Sequence, residues 1–423
     1  MPEISLPKGY TLVAHGPSKV RILEGSVMVF GATLSAGSEA FAEPTRSLPL
    51  YATGDSRLEV DKGSFSLFEG DTIPAEWYRL AEALSQGEFR RVIIIGDVDS
   101  GKTSLATLLV NSLTGRGRRV AVIDADVGQK SIGPPGAIGL GVTAKPVYSL
   151  VNVEVYDSFF IGSNTPSGLL HRSIGGVVAL LRKAEKLADI TIIDTTGWVT
   201  ESEGRDLKFI KTLAVEPDLV VLVGGSSTLV QLERPLRKMF RLTRVPKPHY
   251  VFERSKGDRR EYRRWVFSRY LASASVKSVD FASIDIAYTF FFTGTPLAAE
   301  EVSRLQAILG VNVLYAEKSD DHIGVIAQPQ PPPQAIELAK SVYGVRHVKV
   351  LSGYELMHSV VGFMSREKYC EGIGVITGVN PREGRIQVLT PVDNPAEKLW
   401  LLGVQKVNPN TFEEEAGLEK WSI

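Results

Sequence analysis

GDVDSGKTS, residues 96–104, is the stretch on which the fold of this chain turns. From Gly96 to Thr103 it satisfies G-x-x-x-x-G-K-[ST], directly after the apolar run RVIII and directly before the helical pattern KTSLATLLVNSL, which closes at Gly115. Each position has a physical task. Gly96 and Gly101 let the backbone of Asp97, Val98, Asp99 and Ser100 curl so that successive N–H groups point inward, and the first turn of the helix, with Ser104, adds its positive end. The result is a nest for the β- and γ-phosphates of a nucleotide. Lys102 brings a point charge to those phosphates, and the Thr103 hydroxyl is placed to ligate Mg²⁺.

Around this loop the texture is that of an α/β domain. The strands RVIII, RVAVI, ITIID and LVVLV alternate with the helical stretches EWYRLAEALSQ, LLHRSIGGVVALLRKAEKL and TLVQLERPLRKMF. Strands separated by helices predict a mostly parallel sheet covered on both faces. We expect this central domain over residues 76–280, with an arginine-rich lid near 252–267. Short apolar runs broken by Gly, Pro, Ser and Asp (VMVFGATL, SLPLYAT, RLEV, SFSLFEG) predict an N-terminal β domain over 1–75. The runs YTFFFTG, HVKVLSG, GIGVITGV and RIQVLT predict a β-rich C-terminal domain over 281–423, in which QPQPPPQ at 328–334 reads as a stiff connector.

Composition narrows the function classes. The 48 Lys and Arg balance the 48 Asp and Glu, so binding of a polyanion has to come from a local patch rather than from net charge. The single cysteine, Cys370, cannot form an internal disulfide and reads as buried filler. The start, MPEISLPKGY, lacks a charged-then-apolar signal, and no apolar run approaches the roughly 20 residues of a membrane span. The expected compartment is the cytoplasm, with no membrane partner.

Three further stretches carry chemistry. VIDADVGQ, 122–129, ends a strand with Asp124 and Asp126 on one side of an extended backbone, where either suits a metal site and Asp126 suits equally a base for an attacking hydroxyl. TIIDTTGWV, 191–199, carries Trp198 past the carboxyl end of a strand, where open α/β sheets bind ligands, and makes it a candidate stacking platform. FERSKGDRREYRRWVF, 252–267, packs six basic and three acidic side chains into one segment. Read as a helix, it sets Lys256, Arg260 and Arg264 along one line and Arg259 and Arg263 along the next. A cationic face of this kind neutralises a migrating phosphoryl group and grips a polyanionic acceptor.

A GTPase reading competes, because DTTG at 194–197 matches D-x-x-G and SKGD at 255–258 approaches the guanine-reading [NT]-K-x-D. Against it stand Ser255 at the first position and the RREYRR that follows at once. An ATP-binding scaffold without turnover is the other alternative.

Taken together, GDVDSGKTS, the D-x-D-V-G-Q of 124–129, the T-x-G-W of 195–198 and the R-S-K-x-x-R-R-x-x-R of 254–263 resemble the polynucleotide 5′-hydroxyl kinase family, which includes the kinase subunit of the mRNA 3′-end cleavage factor. GSVMVFGATL at 25–34 and YCEGIGVITGVNPREGRIQVLTPV at 369–392 resemble its flanking β domains. The resemblance implies transfer of the γ-phosphate of ATP, with Mg²⁺, to the 5′-hydroxyl of RNA or DNA, and RNA-processing proteins as partners. It implies Lys102 and Thr103 as phosphate and Mg²⁺ contacts, Asp126 as the group that activates the hydroxyl, and Arg254, Arg259 and Arg263 as lid arginines. Gln129, Thr165, Thr195, Gly197 and Trp198 fall where the acceptor strand is held. The family also reads adenine through its N-terminal domain, a contact that no position here is matched to.

Overall fold

The computed structural model describes residues 3–61, 64–352, 354–380 and 383–419. The chain forms two compact units, one of Met1–Gly133, Ile138–Phe159 and Thr165–Trp265, the other of Pro134–Ala137, Phe160–Asn164 and Val266–Ile423.

The first unit begins with short strands: β1 (Glu3–Leu6), β2 (Tyr10–His15), β3 (Ser18–Glu24), β4 (Ser26–Val29), β5 (Ala32–Ser35), β6 (Glu39–Ala42), β7 (Ser47–Ala52), β8 (Ser56–Asp61) and β9 (Phe65–Glu69). They form a sheet of order β1-β8-β3-β6 and another of order β5-β4-β7-β2-β9. Their residues alternate as a half-buried pleat requires: Val20 and Ile22 of β3 are buried, while Lys19 and Arg21 face outward.

Helix α1 (Ala75–Gln86) leads into the strand β10 (Arg91–Gly96), the phosphate loop and α2 (Lys102–Thr114). Then follow β11 (Val120–Ala125), β12 (Ala137–Thr143), β13 (Val155–Phe160), α3 (Leu170–Ala184), β14 (Ile190–Thr195), α4 (Ser202–Val215), β15 (Leu219–Val223), α5 (Ser227–Leu236), β16 (Leu242–Val245) and α6 (Lys256–Tyr270). The strands lie in the order β13-β12-β11-β14-β10-β15-β16. Those from β11 to β16 run parallel, and β12 runs antiparallel to β11. Val92, Ile93, Ile94 and Ile95 are wholly buried, as expected of a strand covered on both faces.

This order positions the chemistry. Because β14 lies between β11 and β10, the carboxyl ends of all three strands open at the phosphate loop. The β-strands of the N-terminal segment share one apolar core with this sheet, joining Leu12, Leu50 and Leu58 to Leu108, Leu109 and Val221. Buried Asn111 of α2 stitches the two parts: its amide donates to Phe30 O at 2.8 Å and Val147 O at 2.7 Å and accepts from Val147 N at 2.7 Å.

In the second unit, a sheet built from Ser275–Asp280, Arg385–Thr390, Gly372–Asn380, Ser359–Met364, Leu399–Val407 and Asp285–Ala287 carries the C-terminal β pattern. Beside it the sequence reading missed an α/β layer. Strands Asn312–Lys318, His322–Gln328 and His347–Leu351 pack their apolar residues with α7 (Ala299–Leu309) and α8 (Pro333–Tyr343) around Leu305, Leu309, Val325 and Ala339. The proline connector is correspondingly short, because Gln328 still belongs to a strand and Pro333 opens α8, a position where its missing N–H costs nothing. Cys370 is buried, its thiol donating to Gly372 O at 3.3 Å. Among the described residues no helix is long and apolar enough to cross a membrane.

Candidate active site

The phosphate loop has the geometry that its glycines predict. Gly101 caps α2 at φ +90°, where a Cβ would lie 2.9 Å from Pro248 Cδ, and a Cβ on Gly96 would lie 2.6 Å from Ser100 Oγ. Lys102 reaches back across the curl, its Nζ 2.5 Å from Asp97 O and 3.5 Å from Ser100 Oγ. Burial lowers its pKa, and the nearby carboxylates of Asp194 and Asp126 pull the other way. Asp97 anchors the loop from behind by accepting from Ser226 Oγ, at the start of α5, at 2.9 Å.

Asp194, at the end of β14, is the residue the sequence reading gave no site role. Thr103 donates to its Oδ2 at 2.6 Å, while its Oδ1 is buried and has no hydrogen-bond partner among the described residues. Burial, reinforced by Asp124, pushes the Asp194 carboxyl up to about 7. A hydroxyl and an orphaned carboxylate oxygen beside a phosphate nest fit a hard cation such as Mg²⁺. The signal was present as DTTG, but only the strand order shows that this aspartate faces Thr103.

The pair at the end of β11 divides its labour. Asp124 is buried and saturated: Oδ2 accepts from Ser131 N at 2.7 Å and Ile132 N at 2.9 Å, Oδ1 from Asp126 N at 3.0 Å, and Lys130 Nζ pairs with it at 3.2 Å. These bonds make it the anchor of its own loop, with both carboxylate oxygens already engaged. Asp126 is half-buried, and its Oδ1 accepts from Gly128 N at 3.0 Å and Gln129 N at 3.1 Å. Its Oδ2 makes no hydrogen bond among the described residues.

The basic segment is helical, as its spacing predicts. Lys256, Arg260 and Arg264 form an exposed line, Arg259 and Arg263 a half-buried one. Ser255 and Asp258 make a reciprocal cap, Asp258 N donating to Ser255 Oγ at 3.1 Å and Ser255 N to Asp258 Oδ2 at 2.7 Å. SKGD is therefore a helix start and not a base-reading loop, which removes the structural basis of the GTPase reading. Arg254 donates to Asp99 Oδ1 through Nε at 2.8 Å and Nη2 at 2.5 Å, and to Gln129 Oε1 through Nη1 at 2.9 Å. Arg259 Nη2 donates to Asp99 Oδ2 at 2.9 Å. Its Nε is buried without a hydrogen-bond partner among the described residues. Burial alone would raise the Asp99 pKa, but the two arginines outweigh it and hold the carboxyl below its usual range.

The turn after β14 packs against both the loop and α4. A Cβ on Gly197 would lie 2.5 Å from Val98 Cα, so this turn sits directly on the phosphate loop. Half-buried Trp198 lies on Gly204, whose Cβ would meet Trp198 Cδ2 at 2.9 Å. Lys208 of α4, fully buried, donates to Thr196 O at 2.5 Å and Thr196 Oγ1 at 2.7 Å. Nothing in the sequence singled it out. Thr165 belongs to a loop tied to the same helix end, with Glu203 accepting from Ser167 Oγ and Gly168 N, both at 2.8 Å. Thr195 is wholly buried and its hydroxyl donates to Ile94 O at 2.8 Å, so it fastens β14 to β10.

Residues 96–273 match the family described as mRNA cleavage and polyadenylation factor CLP1 P-loop. The chain is 32% identical to a polyribonucleotide 5′-hydroxyl-kinase of Pyrococcus horikoshii over 78% of its own length and 89% of that protein. It is 25% identical to the polyribonucleotide 5′-hydroxyl-kinase Clp1 of Xenopus tropicalis over 91% of this chain and 88% of that one. The fold matches that in the structure of a wild-type Clp1p–Pcf11p complex with a TM-score of 0.66 at 16% identity, covering 96% of this chain and 97% of that one. With the phosphate loop, the strand-end carboxylates and the arginine helix in place, the chain belongs to the polyribonucleotide 5′-hydroxyl-kinase family.

Proposed function

We propose that this protein transfers the γ-phosphate of ATP to the 5′-hydroxyl of a polyribonucleotide. The observation that carries the reading is the convergence of three chemistries on one loop. Asp99 of the phosphate loop is gripped by Arg254 and Arg259, Arg254 also holds Gln129, and Gln129 N is bound to Asp126. These contacts support a reading in which Asp126 acts as proton acceptor and the two arginines neutralise charge at the mouth of the phosphate nest. The names and coverage of the relatives support the same reading.

In this reading the backbone of 96–101 and Lys102 hold the β- and γ-phosphates, and the acceptor lies against Trp198. The 5′-oxygen forms its bond to the γ-phosphorus as the bond to the β–γ bridging oxygen breaks, leaving ADP. The hydroxyl proton goes to Asp126, whose Oδ2 makes no hydrogen bond to the described residues. Arg259 offers its unsatisfied Nε–H to the migrating oxygens. Thr103 and Asp194 would hold Mg²⁺, which when bound supplies positive charge at the β- and γ-phosphate oxygens.

Incubation with γ-labelled ATP and 5′-hydroxyl oligonucleotides of RNA and of DNA tests the reading. Label should pass to the 5′ end of RNA, and the DNA arm reports whether the 2′-hydroxyl is required. Release of labelled phosphate to water at a rate indifferent to the oligonucleotide would overturn it, as would ATP binding without any transfer.

A further inference from the structure

We infer that Arg46, contributed by the N-terminal strands, is a positioning residue that clamps the lid helix to the acceptor loop. Its side chain lies where three segments meet. Nη1 donates to Ser131 Oγ at 3.2 Å, and Nη2 to Ser131 Oγ and to Gln129 O, both at 3.2 Å. Its Cζ stands 4.2 Å from the ring centroid of Tyr262, a wholly buried residue of α6. Tyr262 in turn donates to Lys130 O at 2.9 Å. One guanidinium therefore covers a ring of the arginine helix and holds two residues of the loop that begins at Asp126.

The base of this clamp is tied into the backbone of the N-terminal strands. Gly16 N donates to Arg46 O at 2.9 Å, and Arg46 N donates to Glu43 O at 3.0 Å. A Cβ on Gly16 would lie 1.9 Å from Glu43 O, so the strands press directly on the turn that presents Arg46. Next to it, Thr45 Oγ1 donates to the Asp258 carbonyl in the first turn of α6 at 3.2 Å. The lid is thus held from its first turn and from Tyr262, one turn later.

The consequence concerns Arg259 and Gln129. Arg259 precedes Tyr262 by three residues on the same helix and points to Asp99, while Gln129 receives Arg254. If the clamp loosens, both ends of this network lose their fixed separation. A planar fork lying on a ring is a geometry that lysine cannot reproduce.

The inference rests on the proposed kinase reaction, and the test keeps the two apart. In the label-transfer assay, wild-type protein first establishes the reaction, whatever Arg46 does. Arg46→Lys should then lower kcat by about tenfold with KM for ATP changed less than about twofold. In an Arg259→Ala background the same substitution should cost less than about threefold, because its effect acts through Arg259. Ser131→Ala, which removes the acceptor shared by both Nη groups without disturbing the core, should give a smaller loss with the same dependence on Arg259. An unchanged kcat in Arg46→Lys, or equal losses in the two backgrounds, would overturn the inference. Should Arg46→Lys fail to fold, the Ser131→Ala pair decides it by the same comparison.

Discussion

Arg254 is fastened to Asp99 by two side-chain contacts and one main-chain contact, Nε at 2.8 Å, Nη2 at 2.5 Å and N at 3.1 Å, and the acceptor of all three is a residue of the phosphate loop itself. Asp99 sits at φ +54°, in the left-handed region that few non-glycine residues visit and aspartate more readily than most. Its carboxylate is held there by Arg254 and Arg259. Arg259 spends only Nη2 on Asp99, and its buried Nε has no hydrogen-bond partner among the described residues. Asp99→Asn should therefore disorder the lid arginines, lowering kcat by about tenfold while ATP binding changes little. Steady-state kinetics in both substrates check this, and tighter ATP binding with undiminished kcat would mean that Asp99 merely competes with phosphate. The depressed Asp99 pKa adds a sign: the latch is intact above the ordinary carboxylate range and is lost only as pH falls through its lowered pKa.

Asp194 titrates in the opposite sense. Its folded pKa, raised to about 7, exceeds that of an unfolded aspartate, so the folded state binds the extra proton and stability from this group declines as pH climbs from about 4 toward 7. Asp194→Asn removes that buried charge. In metal-free protein the variant should melt higher than wild type at pH 8, by roughly several degrees, and nearly together with it at pH 5. With ATP and Mg²⁺ present it should lose most phosphoryl transfer. Equal melting at pH 8, or melting below wild type there, would show that the carboxylate is better satisfied than its orphaned oxygen indicates.

Much of this site was legible because it is local. The phosphate loop, the D-x-D strand end and the i, i+4 arginines are short-range patterns whose meaning depends on one turn of strand or helix. Asp194 was visible as a strand-end aspartate, but its place opposite Thr103 depends on β14 inserting between β11 and β10, which no window of sequence contains. Arg46 lies far along the chain from Tyr262 and Ser131, and its meeting with them is a matter of packing alone. Lys208 looked like any surface lysine, since a helix with mixed polarity gives no sign that its amine is swallowed by a carbonyl and a hydroxyl of Thr196. The C-terminal helices were overlooked for a different reason: AEEVSRLQAIL carries a helical period, but the β-rich runs around it dominated the reading.

The turn bearing Trp198 is held to α4 in two ways, and each can be cut. Lys208→Met keeps the length of the side chain and removes both bonds to Thr196, so the turn bearing Trp198 should loosen. Gly204→Ala places a Cβ 2.7 Å from Trp198 O and 2.9 Å from its Cδ2, forcing the indole to move. Both variants should raise KM for the oligonucleotide by about tenfold, in keeping with the roughly 1–3 kcal/mol of a base stacked on an aromatic ring. ATP affinity should stay within about twofold. A loss confined to thermal stability, with normal KM for the acceptor, would return Trp198 to a packing role.

The last pair of substitutions separates a base from a loop anchor two residues away. Asp126 uses one oxygen on Gly128 N and Gln129 N, so Asp126→Asn, whose carbonyl still accepts both, should fold and melt like wild type. What it removes is the carboxylate that the proposed reaction uses as proton acceptor, and kcat should fall by about a hundredfold or more with KM for ATP nearly unchanged. Asp124→Asn should behave differently. Its carboxylate accepts from three backbone amides and is paired with Lys130 at 3.2 Å in a site where both are buried. Breaking such a pair leaves an uncompensated buried charge, at a cost of about 3–5 kcal/mol. Melting should drop markedly, and at a temperature where the variant remains folded its kcat should exceed that of Asp126→Asn. Thermal melts and single-turnover transfer measured on both variants check the contrast. If Asp126→Asn costs as much stability as Asp124→Asn, or keeps the wild-type rate of transfer, the proton has another acceptor and Asp126 is a second anchor of the same loop.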